Sequence, residues 1–394
     1  MGFYTSPSFF AMLAVAIVPA AVLGLLGRSI RGYGMLVSVV FLAFLFSGSP
    51  AEFAAFALFL AAAGLAEFVT LRTFAHGEKS VPLYLFALTL TLAPLLCCKA
   101  GGLFGHQNLL GFAGISYLTF KAVQVVIETR DGLIKAMSPL DWLYFVCFFP
   151  VFTSGPIDRS RRFVEDAHRR WTREEYADLL SRGLLLLLAG AVYQMVLATI
   201  AGGWYSPAAV GSGPALAEAA EQVKDAWAFG LFMFFNFAGY SMMAVGASYC
   251  FGIRTPRNFR APFAAVDIKD FWNRWHITLS FWLRDFVFMR FVRSAARHKW
   301  FKSRLTGACM GYVVNMGLMG AWHGLTPEYL AYGLFHGVLL AATDAFQKKS
   351  SIYKRCKNEL WFKALSWFVT VNLVMLGFAI FSGQVTVVLK GLGL

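Results

Sequence analysis

Uncharged runs long enough to cross the ~30 Å hydrocarbon core of a bilayer recur from one end of this chain to the other, at residues 1–27, 183–217, 226–253 and 364–389. In lipid no water pairs with an exposed N–H or C=O, so such a run must be a helix or part of a closed barrel. These runs are continuous in apolarity and do not alternate, which selects the helix. Shorter or Gly/Pro-interrupted stretches fill the spaces between them. Only 14% of the 394 residues are charged, against roughly a quarter in soluble domains. The ~20-residue rule predicts an all-α polytopic membrane protein with about eleven transmembrane helices plus re-entrant or interfacial helices. A soluble enzyme and a nucleic-acid-binding domain are excluded.

The charge balance is +14, from 35 Lys and Arg against 21 Asp and Glu. In a membrane protein such an excess first sets orientation, because cytoplasmic loops collect Lys and Arg. Arg28 and Arg31, Arg72 and Lys79, the run "RSRRFVEDAHRRWTR" (159–173), Arg254, Arg257 and Arg260, and "KKSSIYKRCK" (348–357) mark inner loops. The stretch 202–224 is nearly free of basic residues and is predicted to lie outside, which also puts both termini outside the plasma (inner) membrane. The first run has no basic n-region and is long enough to remain a helix, unlike a cleaved signal peptide. The six cysteines lack metal spacing and read as small buried hydrophobes.

No internal repeat and no linker divides the chain. Residues 1–394 therefore read as a single membrane domain: peripheral spanning helices at 1–98, a core at 99–347, and a basic inner loop with a last span at 348–394. The core begins where the texture changes. Residues 99–132 mix Gly101, Gly102, Gly105, Gly111 and Gly114 with Ser116, Tyr117, Thr119, Lys121 and Gln124, an irregularity tolerated at membrane depth only inside protein or along a wet cavity. "CFFPVFTSGPIDRSRRF" then breaks at Pro150 and Pro156.

From 253 to 304 the chain is too charged to span. At helical period Trp272, Trp275, His276, Leu279, Trp282, Leu283 and Phe286 form one apolar face, opposite Asp270, Arg274, Phe281, Arg284 and Asp285. This predicts a single amphipathic helix in the interface or dipping into the protein. The next uncharged run, 305–322, and the return segment from Tyr329 to Asp344 are short and rich in glycine. They read as two broken segments framing a site at membrane depth, with Trp322 and His323 at their junction.

Seven histidines are present. His76, His168 and His298 adjoin charged inner segments and read as ordinary surface residues, and His106 falls in the Gly-rich stretch. His276, His323 and His336 have apolar surroundings, where an ionisable group is costly and functional by default. Each could be a neutral imidazole hydrogen-bonded within the bundle, or a general base, which burial keeps uncharged. No carboxylate or cysteine stands near them at ligand spacing, so no metal is expected. The basic cluster Arg290, Arg293, Arg297, Lys299, Lys302 and Arg304 is either an orientation signal or a docking surface for an acidic cytosolic partner.

"DFWNRWHITLSFWLRDFVF", followed further on by "MGAWHGLTPEYLAYGLFHG", resembles the membrane-bound O-acyltransferase family. "GISYLTFKAVQ", "FFPVFTSGPIDRSRRF" and "FFNFAGYSMMAVGASYCFGI" look like the D-alanyl transfer proteins within that family, over about residues 110–347. The resemblance implies a ring of helices around a central funnel and tunnel, with His323 as the catalytic residue and His276 as the second motif histidine. Asn273, Trp272, Trp275, Trp322, Asn236 and Ser116 would support them along the tunnel. It also implies D-alanine delivered as a thioester on the phosphopantetheine of an acidic, DltC-like carrier protein, with no cofactor bound by this chain itself. Accessory membrane partners would be DltD-like and DltX-like, and the acceptor a hydroxyl on the way to teichoic acids. Two departures stand out: Asn236 replaces a usually acidic residue, and "TPEY" replaces a more aromatic turn. Competing readings are a transporter or channel, a polysaccharide O-acetyltransferase of the same family, and a non-catalytic envelope scaffold.

Overall fold

The computed structural model describes residues 2–74, 77, 80–101, 104, 110–206 and 215–391. His76, His106 and Lys79, together with residues 207–214 of the predicted outer loop, lie outside the described residues. Every regular element among those described is a helix. Six are long and apolar enough to cross a membrane: Pro7–Leu25, Pro50–Phe74, Val81–Gly101, Arg173–Gly203, Ala217–Cys250 and Leu360–Phe381. Their outer faces carry exposed Val15, Val18 and Val22, or Leu184, Leu185 and Leu188, which suits lipid and not water. The first helix starts where its sequence says it should, with Ser6 accepting from the Phe9 N–H and Pro7 in the first turn.

The chain divides into two compact units, Met1–Ala191 with Tyr240–Pro256, and Val192–Gly239 with Arg257–Leu394. In the first, the helix Ile115–Arg130 is buried along nearly its whole length. The helix Pro139–Cys147 stops short of Pro150, as its sequence requires, and would leave its last carbonyls bare. The fully buried Lys121 reaches across and donates to the carbonyls of Phe145 (3.1 Å) and Val146 (3.4 Å). The basic run after Pro156 is a fastening as well as a charge signal. Buried Asp166 accepts from the Arg254 backbone at 2.8 Å and from its guanidinium at 2.9 Å. Arg162 binds Asp158 at 2.9 Å. His168 is exposed, as read from the sequence, and its Nε2 also lies 2.8 Å from Asp141, which holds Arg31 at 2.9 Å. The cysteine reading needs a correction. All six are free thiols, but only Cys250 is fully buried.

The second unit holds the motif residues. Trp272, Trp275, His276, Leu279, Trp282 and Leu283 are all buried, as the periodicity requires, but not on one continuous helix. The chain forms the short helix Ile268–Trp272, turns at Asn273, and restarts as Ile277–Leu283. It then makes a wide π-turn over Arg284–Phe288 before the helix Met289–Arg297. His276 sits at the restart with φ +42° and ψ 50°, a left-handed conformation that costs an L-residue roughly 1–2 kcal/mol. Asn258 offsets that cost. Its carbonyl accepts from the Ile277 N–H at 2.9 Å, and its side-chain oxygen accepts from the Thr278 N–H at 3.3 Å and hydroxyl at 2.6 Å.

The glycine-rich segments are not broken. They form two continuous helices, Arg304–His323 and Pro327–Lys349. A Cβ on Gly320 would stand 3.0 Å from the Gly333 Cα, and one on Gly337 would stand 2.9 Å from the Val313 Cα. The glycines are there to bring the two backbones together, the small-residue packing expected in membranes. The second helix also continues past Asp344, which is buried because Lys269 (2.8 Å) and Lys348 (2.6 Å) neutralise it.

Candidate functional site

The first helix of the glycine hairpin delivers Trp322 and His323 in its last turn, and Gly324 ends it. His323 is half-buried. Its ring centroid lies 4.6 Å from that of Trp322, 5.1 Å from Phe381, 6.1 Å from Tyr329 and 6.3 Å from Tyr332. The ring of His276 lies 6.5 Å from that of Trp322. The Trp322 indole is thus a neighbour of both imidazoles. Phe237 meets His276 edge-on at 4.8 Å.

The two histidines differ in setting. His276 is 4% exposed, and neither ring nitrogen has a hydrogen-bond partner. Burial, followed by the charge of His323 nearby, pushes its pKa down to about 3. At neutral pH it is an uncharged ring too weakly basic to hold a proton. Its N–H is free to donate, and its weakness as a base argues against a proton-accepting role, for which a pKa near the operating pH is best. His323 is the more open of the two.

A cavity of ≈ 160 Å³ adjoins this region, lined among others by Trp272, Asn273, Ser280, Arg284, Asn315 and Met319. Neither His276 nor His323 lines it. Asn273 is exposed at its wall, and the buried Trp272 has an indole Nε1 without a hydrogen-bond partner. Trp275 instead fills an aromatic cluster with Phe259 (5.0 Å), Phe271 (5.6 Å) and Phe378 (5.0 Å). Asn236 is occupied as well: its oxygen accepts from Gln194 at 3.3 Å. Ser116 belongs to the first unit, half-buried in the opening turn of Ile115–Arg130. His336 is fully buried in the helix Pro327–Lys349, with Tyr332 at 4.7 Å and Trp272 at 5.2 Å. Arg293, Arg297, Lys299, Lys302 and Arg304 are exposed, and Arg290 is half-buried. Among the described residues no cluster of His, Cys, Asp or Glu could hold a metal ion.

Sequence reading missed Asn258, Phe237 and Phe381. Asn258 lies in "TPRNFRAP", an irregular stretch with no periodicity to flag it, and the other two look like any membrane phenylalanine.

The profile of the membrane-bound O-acyltransferase family matches residues 79–383. The chain belongs to that family. As a membrane-bound O-acyltransferase it has relatives that extend over nearly its full length. The teichoic acid D-alanyltransferase of Bacillus subtilis (strain 168) is 40% identical, over 97% of this chain and 98% of its own. That of Streptococcus thermophilus (strain ATCC BAA-250 / LMG 18311) is 38% identical, over 96% and 94%. A probable alginate O-acetylase, AlgI, of Pseudomonas aeruginosa is 30% identical over 69% of this chain and 48% of its own length.

Proposed function

We propose that this acyltransferase moves D-alanine from the phosphopantetheine thioester of an acidic, DltC-like carrier protein to a hydroxyl acceptor, in teichoic acid D-alanylation. The observation that carries the reading is that His276 and His323 both neighbour Trp322, in a chain that aligns over nearly its full length with teichoic acid D-alanyltransferases. The alginate O-acetylases match a shorter part of the chain, which disfavours acetate transfer to polysaccharide.

In this reading the acceptor oxygen attacks the thioester carbonyl while His323 takes the hydroxyl proton. The His276 N–H donates to the oxyanion, since preorganised donors aimed at developing charge lower the barrier most. The C–S bond then breaks, and the departing thiolate recovers the proton. Asn273 and Trp272 would line the way for the arm. The fold would be a ring of spanning helices around a funnel and tunnel, in the plasma membrane, with its basic loops cytoplasmic. Arg290, Arg293, Arg297, Lys299, Lys302 and Arg304 would receive the carrier, and DltD-like and DltX-like partners would complete the assembly. His336 would be structural.

The test reconstitutes the protein with D-alanyl-loaded carrier and its membrane partners and follows loss of the thioester. His323→Ala is expected to lose nearly all transfer while still binding carrier, and His336→Ala to keep most of it. Wild-type rates in His323→Ala would end the assignment.

A further inference from the structure

The basic segment after the glycine hairpin does more than follow it. The helix Pro327–Lys349 and the spanning helix Leu360–Phe381 are joined by the short helix Ser351–Cys356. Between them runs an open groove of ≈ 460 Å³, within the roughly 300–1,000 Å³ of ordinary ligand sites. Its wall is apolar, made by Leu339, Phe346, Leu365, Val369 and Leu373. Phe346, Leu365 and Val369 are exposed, so the groove lies open on the side that lipid would cover. Tyr353 closes one end, with Phe346 at 5.8 Å and Phe362 at 6.1 Å.

Two exposed lysines, Lys357 and Lys363, line the same groove. Among the described residues neither forms an ion pair with an acidic side chain. The nearby acids are otherwise engaged or few. Asp267, also in the lining, accepts from Gln347 at 2.9 Å and from the Asp270 N–H at 2.8 Å, Asp344 is held by Lys269 and Lys348, and Glu359 stands between the two lysines in sequence. Lys349, Lys354 and Arg355 add further exposed positive charge. Leu360 and Trp361 are exposed beside the groove, the pattern of residues that sit at a membrane–water interface.

An acyl chain satisfies the wall, and an anionic head group satisfies the rim. Basic pockets between spanning helices bind lipid head groups in this way. We propose that this groove is a binding site for one phospholipid with an anionic head group, taken from the leaflet that borders the basic face. The head group would lie between Lys357 and Lys363, and a chain would run along Val369 and Leu373. A soluble acidic protein would meet the same lysines but has no use for an apolar trough facing lipid.

The test measures lipid retained by the full-length protein in native mass spectrometry, from mixed micelles of phosphatidylglycerol and phosphatidylcholine with identical chains. One phosphatidylglycerol is expected to be retained in preference to phosphatidylcholine. The double variant Lys357→Gln/Lys363→Gln should lower that retention about tenfold, whereas Lys354→Gln/Arg355→Gln, which removes the same charge outside the groove, should leave it unchanged. Ser366→Trp, which fills the groove, should abolish retention of either lipid without changing the thermal midpoint of the lipid-free protein. Equal retention of the two lipids, or equal losses in the two double variants, would overturn the site. So would unchanged lipid retention in Lys357→Gln/Lys363→Gln accompanied by lost binding of the acidic carrier, which would give the face to that protein.

Discussion

Trp322 lies with its indole 6.5 Å from the ring of His276 and 4.6 Å from that of its chain neighbour His323. Two histidines far apart in sequence thus share one aromatic neighbour, which predicts a coupling between them. Replacing that neighbour should disturb both. Trp322→Ala is expected to lower the transfer rate at least tenfold with the protein still folded in detergent, and Trp322→Phe to recover much of the loss. Steady-state kinetics on reconstituted protein, with size-exclusion profiles as the fold control, decide this; equal rates for wild type and Trp322→Ala would refute the coupling.

The left-handed backbone at His276 gives a second prediction. His276→Gly and His276→Ala both lose the imidazole and should be equally poor in transfer. Glycine accepts φ +42° without strain, so the Gly variant should be the more stable of the two by about 1 kcal/mol. Asn258→Ala should cost a further 1–3 kcal/mol, on the order expected when buried hydrogen-bonding groups lose their partner. Denaturation in mild detergent reads both differences.

The depressed pKa of His276 fixes the sign of one pH effect. The unfolded chain binds a proton on this ring near pH 6.5, and the folded one only near about 3. The folded state is therefore favoured in full above pH 6.5, and that contribution is lost as pH falls from there toward 3, by about 1.4 kcal/mol per unit. Wild type should lose stability more steeply than His276→Gln between pH 6 and pH 4, and the two should run parallel above pH 7. Parallel curves throughout would mean that the ring is wetter than its burial indicates.

The close approach of the glycine hairpin predicts that added methyl groups move the site. Gly333→Ala would set its Cβ against the Met316 carbonyl and 3.0 Å from the Gly320 Cα, one turn before His323. Overpacking of this kind costs about 1–3 kcal/mol. Transfer should fall further than stability does, because the hairpin carries Trp322 and His323 at its end. Gly317→Ala meets only a leucine methyl at 3.9 Å and should leave both nearly unchanged, which makes it the matched control.

The exposed arginines of the helix Met289–Arg297 predict a salt-dependent interaction. Arg293→Glu/Arg297→Glu should weaken binding of an acidic carrier, most strongly at low ionic strength, where charges are least screened. Titration by microscale thermophoresis at two salt concentrations checks it. Affinity that does not change with the reversal would leave these residues as orientation signals alone.

The sequence by itself determined the helices, the membrane and the identity of the buried face around His276. Each is a one-dimensional consequence: run length against bilayer thickness, and apolar spacing against helical period. It also marked His276 and His323, because an imidazole in an apolar run has to be accounted for. The tertiary structure decided the rest. The break that turns one amphipathic helix into two depends on Asn258, remote in sequence and in no periodic pattern. Gly320, Gly333 and Gly337 looked like helix breakers, yet they are contact residues, and only the facing backbone distinguishes the two roles. His168 is the surface residue its sequence suggested, but its partner Asp141 could not be read from the chain. Nothing local ties Trp322 to His276 either: hydrophobic period records which side of a helix is hidden, but not which side chain, brought from another segment, is hidden against it.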